Sequence, residues 1–339
     1  MAATAPGLSK GRFLTLSFSG AGHLLPYHLG VASSLLQKLR DNAVTLGVGE
    51  SGRDRRGKNR PAIGDAPSLP PVRSVSGSSS GAIAAVVFCR FPNKVDELAD
   101  RFISDRGDAL RHLREMFHDA ERRESSSSDP SLRDSVDVEW GPSGQKGPRS
   151  LHVAVTRCSN GKSHQFSFPG HGAKEIYRSI SAGWDTDRLL RCVEASCLIP
   201  RSFHPVDMLD IGRIATYPNE DGICIDGVRY ADGGIATPAP PTPHDREVEA
   251  VRVLVSPISG SVATMDSGVA PVIRISPSDF SWNLFPMEVR CRGNFLVRPS
   301  IQNLSAMGVS LGFASRQELR KWHEQGLEDG KFAIAQLSF

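Results

Sequence analysis

The feature that most constrains the fold of this chain is a serine held between two closely spaced glycines, in Gly77-Ser78-Ser79-Ser80-Gly81. Seven apolar residues, Ala82–Phe88, follow the motif directly. A G-x-S-x-G sequence in this setting is typical of a strand, a very tight turn and a helix whose N-terminus points at a reaction centre. Because the glycines leave room for the strained backbone of such a turn, the motif makes Ser79 a candidate nucleophile.

The same composition also fits a flexible linker, because Ser76–Ser80 contains only serine and glycine. A linker does not normally run straight into seven apolar residues. Ala82–Phe88 is apolar on every face of a helix, which is typical of a helix buried at the centre of a domain. The motif alone leaves both interpretations open.

A second glycine-containing segment lies near the start of the chain. Leu14–Phe18 alternates apolar and polar residues as a strand does, and Gly20-Ala21-Gly22 follows it. Backbone amides at such a junction can bind an anion, either a phosphate or the oxyanion of an acyl-transfer intermediate. Leu25 stands where a dinucleotide-binding loop has its third glycine, no P-loop sequence is present, and an ordinary glycine turn is the alternative. A helix is predicted next, from Pro26 and the spacing of Leu29, Ala32, Leu36 and Leu39.

A candidate carboxylate ends a predicted hairpin. Two short β-rich runs, Ile223–Ile225 and Val228–Ala231, flank Asp226-Gly227, which is a strong two-residue hairpin signal. The second run ends at Asp232-Gly233-Gly234, where the glycines allow another backbone to approach closely. This placement makes Asp232 a candidate functional residue, although Asp-Gly turns are also common away from active sites.

The remaining strand and helix signals predict an α/β domain. Leu151–Val155 and Val251–Val255 are rich in β-forming residues, and segments compatible with helices, such as Ala173–Cys192, separate them. The charged segment Gln317–Lys331 predicts a closing helix. Alternation of strands and helices around the serine motif favours a three-layer α/β/α fold with a mainly parallel central sheet.

Composition also predicts how the chain is organised into a domain and flexible segments. We expect a flexible N-terminus at 1–12 and one domain at 13–335. Two mobile insertions are predicted at about 47–73 and 121–150, because both are rich in Gly, Pro, Ser and charge. The first insertion is basic, which suits either anionic lipid headgroups or plain solvation.

Composition also bears on function classes. The 339 residues are 39% hydrophobic, which is enough for a substantial core, and a net charge of +3 does not indicate a nucleic-acid partner. No apolar run approaches the ~18 residues of a membrane span, and residues 1–12 lack the apolar core of a secretory signal. Six scattered cysteines and ten histidines form no metal-binding motif, so we expect free thiols, no metal and no cofactor.

Together, the three motifs resemble the patatin-like phospholipase family, lipid acyl hydrolases with a Ser–Asp dyad. Within it, the chain is most similar to the branch containing adiponutrin and adipose triglyceride lipase. The resemblance covers roughly residues 13–335, and it implies the patatin-like α/β/α fold. Leu25, in place of a usual glycine, and Pro26 depart from the pattern. The matching stretches are Phe18–Gly22, Tyr27–Ala32, Val155–Arg157, Asn160–Lys162, Ala195–Pro200, Val228–Gly234, Val255–Pro257 and Glu324–Asp329.

The resemblance implies roles for the motif residues. Ser79 would attack an ester carbonyl, Asp232 would accept its proton, and backbone amides of Gly20, Ala21 and Gly22 would stabilise the oxyanion. A solvated aspartate, with a pKa of about 3.9, is a poor base for this step. Asp232 would therefore have to be partly desolvated and hydrogen-bonded to the serine.

A Ser–Asp–His triad is the alternative mechanism. His244 and His323 both follow Asp232, in the chain order that an α/β-hydrolase triad requires. Because both lie in polar segments, the dyad is favoured. His23, next to the glycine loop, is a further candidate to line the pocket, although its position favours a surface or packing role.

The resemblance also implies a substrate and a location. We expect a fatty acyl ester of a glycerolipid, either a phospholipid or a triacylglycerol, at a membrane or lipid-droplet surface. The protein would be cytoplasmic and peripherally associated with that surface. Two alternatives stay open: a catalytically weak lipid-surface binding or regulatory protein, and an acyltransferase on the same scaffold. The intact Ser79 and Asp232 favour the hydrolase.

Overall fold

The computed structural model describes residues 13–47, 69–105, 107–126, 147–169, 185–209, 216–261, 272–284 and 287–337. The predicted flexible segment 1–12 lies outside these residues, as does the greater part of each predicted insertion. The described ends of the insertions belong to regular elements, because one helix continues to Ser126 and one strand begins at Val72.

The described residues form strands and helices that alternate along much of the chain. The strands are β1 (Phe13–Phe18), β2 (Val72–Ser78), β3 (Ser150–Arg157), β4 (Ser163–Pro169), β5 (Ile223–Ile225), β6 (Val228–Asp232), β7 (Ala250–Val255), β8 (Val272–Ile275), β9 (Val289–Cys291) and β10 (Phe295–Val297). The helices are α1 (Leu25–Gly47), α2 (Ser80–Arg90), α3 (Val95–Asp105), α4 (Ala109–Ser126), α5 (Thr186–Cys197), α6 (Gly233–Ala236), α7 (Ile301–Ser310) and α8 (Arg316–Leu337).

One sheet organises the domain. Its strand order is β5-β6-β3-β2-β1-β7-β8, with β4 also paired to β3. The pairings from β3 through β2, β1 and β7 to β8 are parallel, whereas β4, β5 and β6 pair antiparallel at one side. Helices flank this sheet, so the predicted α/β/α fold with a mainly parallel sheet is confirmed. A separate two-stranded ribbon, β9–β10, follows the sheet in sequence.

One face of the central strands is apolar and packs against helices. Leu14, Leu16 and Phe18 of β1 are fully buried, and the Phe18 ring contacts His28 of α1 and Phe88 of α2. All ten residues of α2 from Ser80 to Cys89 are buried. The prediction that Ala82–Phe88 forms a helix at the centre of the domain is therefore confirmed.

The other face of β1 and β2 is polar yet buried, and a proline-rich segment at 237–243 covers it. Ser17 and Ser76 donate hydrogen bonds to the Pro240 carbonyl at 2.7 and 2.6 Å, and Ser78 donates to the Pro238 carbonyl at 2.9 Å. Prolines offer carbonyl acceptors but no N–H donors, so this segment cannot extend the sheet as an inner strand. The serine hydroxyls take the place of ladder bonds and hold the segment against the strands.

The closing helix predicted at Gln317–Lys331 is present as the longer α8. It packs along α1 at glycines: a side chain on Gly326 would collide with the Tyr27 backbone, and one on Gly30 with the His323 carbonyl. Tyr27 also donates a hydrogen bond to Asp329 at 2.9 Å. In the described part of the chain, none of the helices is both long enough and apolar enough to cross a bilayer.

Candidate active site

Ser79 occupies a strained turn between β2 and α2. Its backbone has φ 52° and ψ −132°, a conformation that costs a residue with a side chain about 1–3 kcal/mol. A side chain on Gly77 would collide with the Gly81 carbonyl, and one on Gly81 would collide with the carbonyls of Phe18 and Ser19. Both glycines of the motif are thus sterically required, and the flexible-linker interpretation is wrong.

The predicted hairpin before Asp232 is also present. Asp226 and Gly227 both have positive φ, 49° and 77°, as a type I′ turn requires. They connect β5 to β6, and Asp232 is the last residue of β6.

The sheet register explains how Asp232 reaches Ser79. Because β4 pairs along one edge of β3, β2 and β6 share the other edge. On that edge β2 ends with Ser78 opposite Ala154, and β6 ends with Asp232 opposite Val155. The two strands run toward each other, so their carboxyl ends meet and bring Asp232 beside the turn that carries Ser79.

The hydroxyl and the carboxylate contact each other directly. Ser79 Oγ donates a hydrogen bond to Asp232 Oδ2 at 2.8 Å, although the two residues are 153 positions apart. The other carboxylate oxygen, Oδ1, accepts a hydrogen bond from the Gly234 amide at 2.7 Å. Both side chains are buried. This arrangement orients the carboxylate toward the serine and holds it there through the first turn of α6.

Burial changes the acid–base chemistry of Asp232. Desolvation raises its pKa from 3.8 to about 6, against the opposing hydrogen bonds from Ser79 and Gly234. A carboxyl group with this pKa is mostly ionised at neutral pH and is a stronger base than a solvated aspartate. The requirement that sequence reasoning placed on Asp232, partial desolvation with a bond to the serine, is met.

Two buried hydroxyls that sequence analysis gave no role hold the backbone of this pair. Ser196 Oγ, near the end of α5, accepts a hydrogen bond from the Ser79 amide at 2.8 Å and donates one to the Ala154 carbonyl at 2.7 Å. Thr156 Oγ1 donates to the Asp232 carbonyl at 2.7 Å. A serine in the last turn of a helix with an apolar face was a visible signal, but its partner lies 117 positions away.

Replacing Ser196 with alanine is expected to lower kcat by about 10- to 100-fold with little change in KM for a soluble ester. The change leaves the buried Ser79 amide without its acceptor, which costs about 1–3 kcal/mol in positioning the turn. Steady-state kinetics would test this. Ser34→Ala is the matched control, because Ser34 is also a buried helix serine bonded to a backbone carbonyl, that of Leu327, between α1 and α8. Equal kcat values for a folded Ser196→Ala variant and the control would contradict the assigned role.

The glycine loop lies beside the serine, as an oxyanion site requires. A Cβ on Gly20 would be 3.4 Å from both Ser79 Cβ and Gly234 Cα. Two of the three predicted donors are already engaged: the Gly20 amide donates to the Pro238 carbonyl at 2.9 Å, and the Ala21 amide to Ser80 Oγ at 3.2 Å.

The Gly22 amide is the third predicted donor. None of the hydrogen bonds described here between the loop and its neighbours has the Gly22 amide as its donor. The Ser80 amide, in the first turn of α2 directly after Ser79, belongs to the first-turn amides that lack an intrahelical partner. Ser80 was not among the donors predicted from the sequence, although its position directly after the candidate serine was an available signal.

Leu25 follows the glycine loop at the start of α1. Its φ and ψ are −44° and −41°, which is helical backbone that any residue adopts, and its amide donates to the Gly22 carbonyl. The side chain is fully buried in the core. Leu25 therefore contributes to the core and requires no unusual backbone conformation at this position.

The histidines considered for a triad lie elsewhere. His244 Nδ1 is 2.6 Å from Glu247 Oε1, and its ring packs edge-on against Phe13, at the amino end of β1. This is the end of the sheet opposite Ser79. His323 lies on α8, where its carbonyl abuts Gly30 of α1. Neither histidine comes between the serine and the carboxylate, which contact each other without an intermediary.

His23 borders the glycine loop. Its ring packs against Phe102 of α3, with centroids 5.9 Å apart, and partial burial lowers the pKa of His23. A Cβ on Gly312 would be 3.4 Å from His23 Nε2. These contacts give His23 a packing role between α3 and the segment after α7.

The described residues contain no group of three or more His, Cys, Asp or Glu side chains that could hold a metal ion.

Comparison with known proteins places this geometry in a family. The family model described as patatin-like phospholipase matches residues 16–243, more than half of the chain, and the match includes the glycine loop, Ser79 and Asp232. Among solved structures, VipD from Legionella pneumophila matches with a TM-score of 0.33 and 13% identity, over 93% of this chain and 68% of VipD. A search of curated proteins gives no significant match. The chain belongs to the patatin-like phospholipase family.

Proposed function

We propose that this protein hydrolyses fatty acyl esters of glycerolipids through an acyl-enzyme formed on Ser79, with Asp232 as the base. The single observation that carries the proposal is the 2.8 Å hydrogen bond from Ser79 Oγ to Asp232 Oδ2. Membership of the patatin-like phospholipase family supports lipid ester hydrolysis in general.

In the first half of the reaction, Ser79 Oγ attacks the ester carbonyl while its proton moves to Asp232 Oδ2. The carbonyl oxygen becomes an oxyanion, which the Gly22 and Ser80 amides would stabilise. One such donor typically lowers the activation free energy by about 3–4 kcal/mol. When the intermediate collapses, Asp232 returns the proton to the departing alcohol and the acyl group stays on Ser79.

In the second half, water attacks the acyl-enzyme. Asp232 accepts a proton from that water, the tetrahedral intermediate forms again, and its collapse releases the fatty acid. The proton returns to Ser79 Oγ as the carbon–oxygen bond breaks. No histidine, metal or cofactor takes part in the proposed cycle.

The proposed substrate is a phospholipid or a triacylglycerol, and the proposed location is a membrane or lipid-droplet surface reached from the cytoplasm. The resemblance to the adiponutrin and adipose triglyceride lipase branch supports this substrate class. The Leu198 carbonyl accepts a hydrogen bond from the Asp232 amide at 2.8 Å. The next residue, Ile199, has an exposed apolar side chain. A fatty acyl chain approaching the dyad would therefore find apolar surface close to it.

The experiment that tests the proposal combines a covalent probe with a lipid panel. Purified protein is treated with a fluorophosphonate, and the modified peptide is identified by mass spectrometry. In parallel, fatty acid release is measured from phosphatidylcholine vesicles and from a triacylglycerol emulsion. We expect an adduct on Ser79 and release of free fatty acid from at least one of the two substrates.

The other outcomes separate the alternatives. An adduct on Ser79 with acyl groups appearing on another lipid instead of as free acid would identify an acyltransferase. Absence of both adduct and product, from a folded protein, would contradict the hydrolase and favour a lipid-surface binding protein.

A further inference from the structure

Exposed apolar side chains are concentrated in one part of this molecule. Of the fourteen large apolar side chains that are exposed in the described residues, ten fall within 280–313. The aromatic rings of Phe280 and Trp282 are the most exposed among these ten, at 93% and 84%. Single exposed apolar residues are ordinary on a protein surface, but a cluster of this kind indicates an interaction site.

Helix α7 contributes a continuous apolar face to this cluster. Ile301, Leu304 and Met307 recur every three residues and are exposed, whereas Ala306 and Val309 point into the core. The sequence from Pro299 to Ser315 contains no charged residue and no histidine. An exposed helix face normally carries charge, so this one is unusual for a surface in contact with water alone.

The two aromatic residues lie against the start of α7. The Ile301 amide donates to the Trp282 carbonyl at 3.3 Å, and Asn283 forms an isolated β-bridge with Ser300. We call the combined surface of Phe280, Trp282, Ile301, Leu304, Met307 and Phe313 the apolar surface.

Asp279 fixes the two halves of the apolar surface to each other. Its carboxylate accepts hydrogen bonds from Ser281 Oγ at 2.6 Å and from Ser300 Oγ, which caps α7. A third bond, at 2.7 Å, comes from Ser259 Oγ, beyond the end of β7. The Asp279 carboxylate is thus bonded to three serine hydroxyls, and these bonds connect the segment that carries Phe280 and Trp282 to the start of α7.

The apolar surface adjoins the active site. A side chain on Gly22 would collide with the Ser310 carbonyl at the end of α7, so this helix end is in contact with the glycine loop. Gly312, one residue before Phe313, lies beside His23. A partner bound to the apolar surface would therefore lie next to the glycine loop that contains Gly22.

Positive charge follows the apolar surface in sequence. Arg316, Arg320 and Lys321 are exposed on the first two turns of α8, directly after Phe313. The acidic residue among them, Glu318, accepts hydrogen bonds from the amide and the hydroxyl of Ser315, at 2.7 and 2.8 Å. An uncharged apolar centre with Trp and Phe, bordered by Arg and Lys, complements a lipid layer with an apolar interior and anionic headgroups.

We propose that the apolar surface is the face by which this protein docks on a lipid layer, with Phe280, Trp282 and the exposed side of α7 inserted among the lipids. Docking there brings the glycine loop and the dyad to the edge of the layer. The inference deepens the proposed function, since that function requires the substrate to come from a lipid layer, but lipid binding is measured without catalysis.

The test measures vesicle binding in a Ser79→Ala background, so that no lipid is consumed. Co-sedimentation uses phosphatidylcholine vesicles with and without phosphatidylserine. We expect the double variant Phe280→Ser/Trp282→Ser to bind at least tenfold more weakly than the parent, and Leu304→Ser/Met307→Ser to behave in the same way. Phosphatidylserine should strengthen binding of the parent, because of the basic residues on α8.

The matched control removes two apolar side chains of similar exposure elsewhere. Val248 and Phe332, at 82% and 69%, lie before β7 and near the far end of α8. Val248→Ser/Phe332→Ser should bind vesicles like the parent. With the wild-type Ser79 restored, the Phe280→Ser/Trp282→Ser variant should lose activity on vesicles by tenfold or more while hydrolysing a soluble short-chain ester at the parent rate.

The outcomes for the inference and for the proposed function are distinct. Equal loss of binding in the control and surface variants, or a parent that binds no vesicles, would overturn the docking surface. A parent that is a dimer in solution and becomes monomeric on Phe280→Ser/Trp282→Ser would assign the surface to a second copy of the chain and also overturn it. Vesicle binding that depends on the surface, together with absence of any esterase activity, would sustain the docking surface and refute the hydrolase.

Discussion

Replacing Ser79 with alanine is expected to reduce ester hydrolysis by about 10³-fold or more and to abolish fluorophosphonate labelling. The substitution removes the hydroxyl that is hydrogen-bonded to Asp232 and is proposed to attack the carbonyl, while leaving the glycine loop and Asp232 in place. The comparison is steady-state hydrolysis of a soluble ester by parent and variant at equal concentrations of folded protein.

The same position offers a second substitution that tests the geometry of the turn. Alanine keeps the Cβ that makes φ 52° unfavourable, whereas glycine adopts positive φ without strain. Ser79→Gly should therefore be as inactive as Ser79→Ala but more stable by about 1 kcal/mol, a difference that urea unfolding resolves.

Ser74→Ala is the matched control for both variants. Ser74 lies on the same strand, is fully buried, and its hydroxyl has no hydrogen-bond partner among the residues that the structure describes. This control should retain activity close to that of the parent. Substantial hydrolysis by Ser79→Ala would show that another group forms the acyl-enzyme.

The parts of the site that the sequence predicted are those with strong local determinants. The two glycines around Ser79 and the Asp226-Gly227 turn specify backbone conformations that few other residues adopt, so their meaning is readable within a few positions. The apolar run after the serine specifies a buried helix in the same local way. These signals singled out Ser79 and Asp232 as candidates, and the structure brings the two side chains into direct contact.

The parts that could not be predicted depend on contacts between distant segments. Ser196 acts on an amide 117 positions away, and the serines of β1 and β2 act on prolines more than 150 positions later. Nothing in the local sequence distinguishes these serines from those of an ordinary half-exposed strand. Their alternation with apolar residues predicted a strand correctly but carried no information about what covers its polar face.

The glycine loop, too, was predictable in part: its position was, and the direction of its amides was not. Its position between β1 and α1 followed from local signals, but the direction of each amide did not. Gly20 and Ala21 point their amides at Pro238 and Ser80, and only the resulting hydrogen bonds show which donor is left for an oxyanion. Because a one-residue change in φ redirects an amide, sequence spacing alone cannot choose among three consecutive donors.

Replacing Asp232 with asparagine is expected to abolish hydrolysis, again by about 10³-fold or more, because the amide cannot accept the Ser79 proton. The shape of the site should persist. Asparagine Oδ1 can still accept a hydrogen bond from the Gly234 amide, and Nδ2 can donate one to Ser79 Oγ in place of the bond that Ser79 now donates.

The activity of the parent should depend on pH. Its kcat/KM should rise with pH as Asp232 ionises around pH 6 and level off above that pH.

The same substitution has an expected effect on stability that depends on pH. Burial raises the pKa of Asp232 from 3.8 to about 6, so between these values the folded parent holds a proton that the unfolded chain releases. The stability of the parent therefore falls as the pH rises through this window, by up to about 3 kcal/mol, and stays lower at neutral pH. Asparagine does not ionise and avoids this loss. Asp232→Asn should thus unfold at a higher urea concentration than the parent at pH 8. The difference should vanish near pH 4, where the parent carboxyl becomes protonated.

Two results would contradict these expectations. An inactive variant that is several kcal/mol less stable than the parent at pH 8 would mean that the ionised carboxylate stabilises the fold. A fully active variant would mean that Asp232 is not the base.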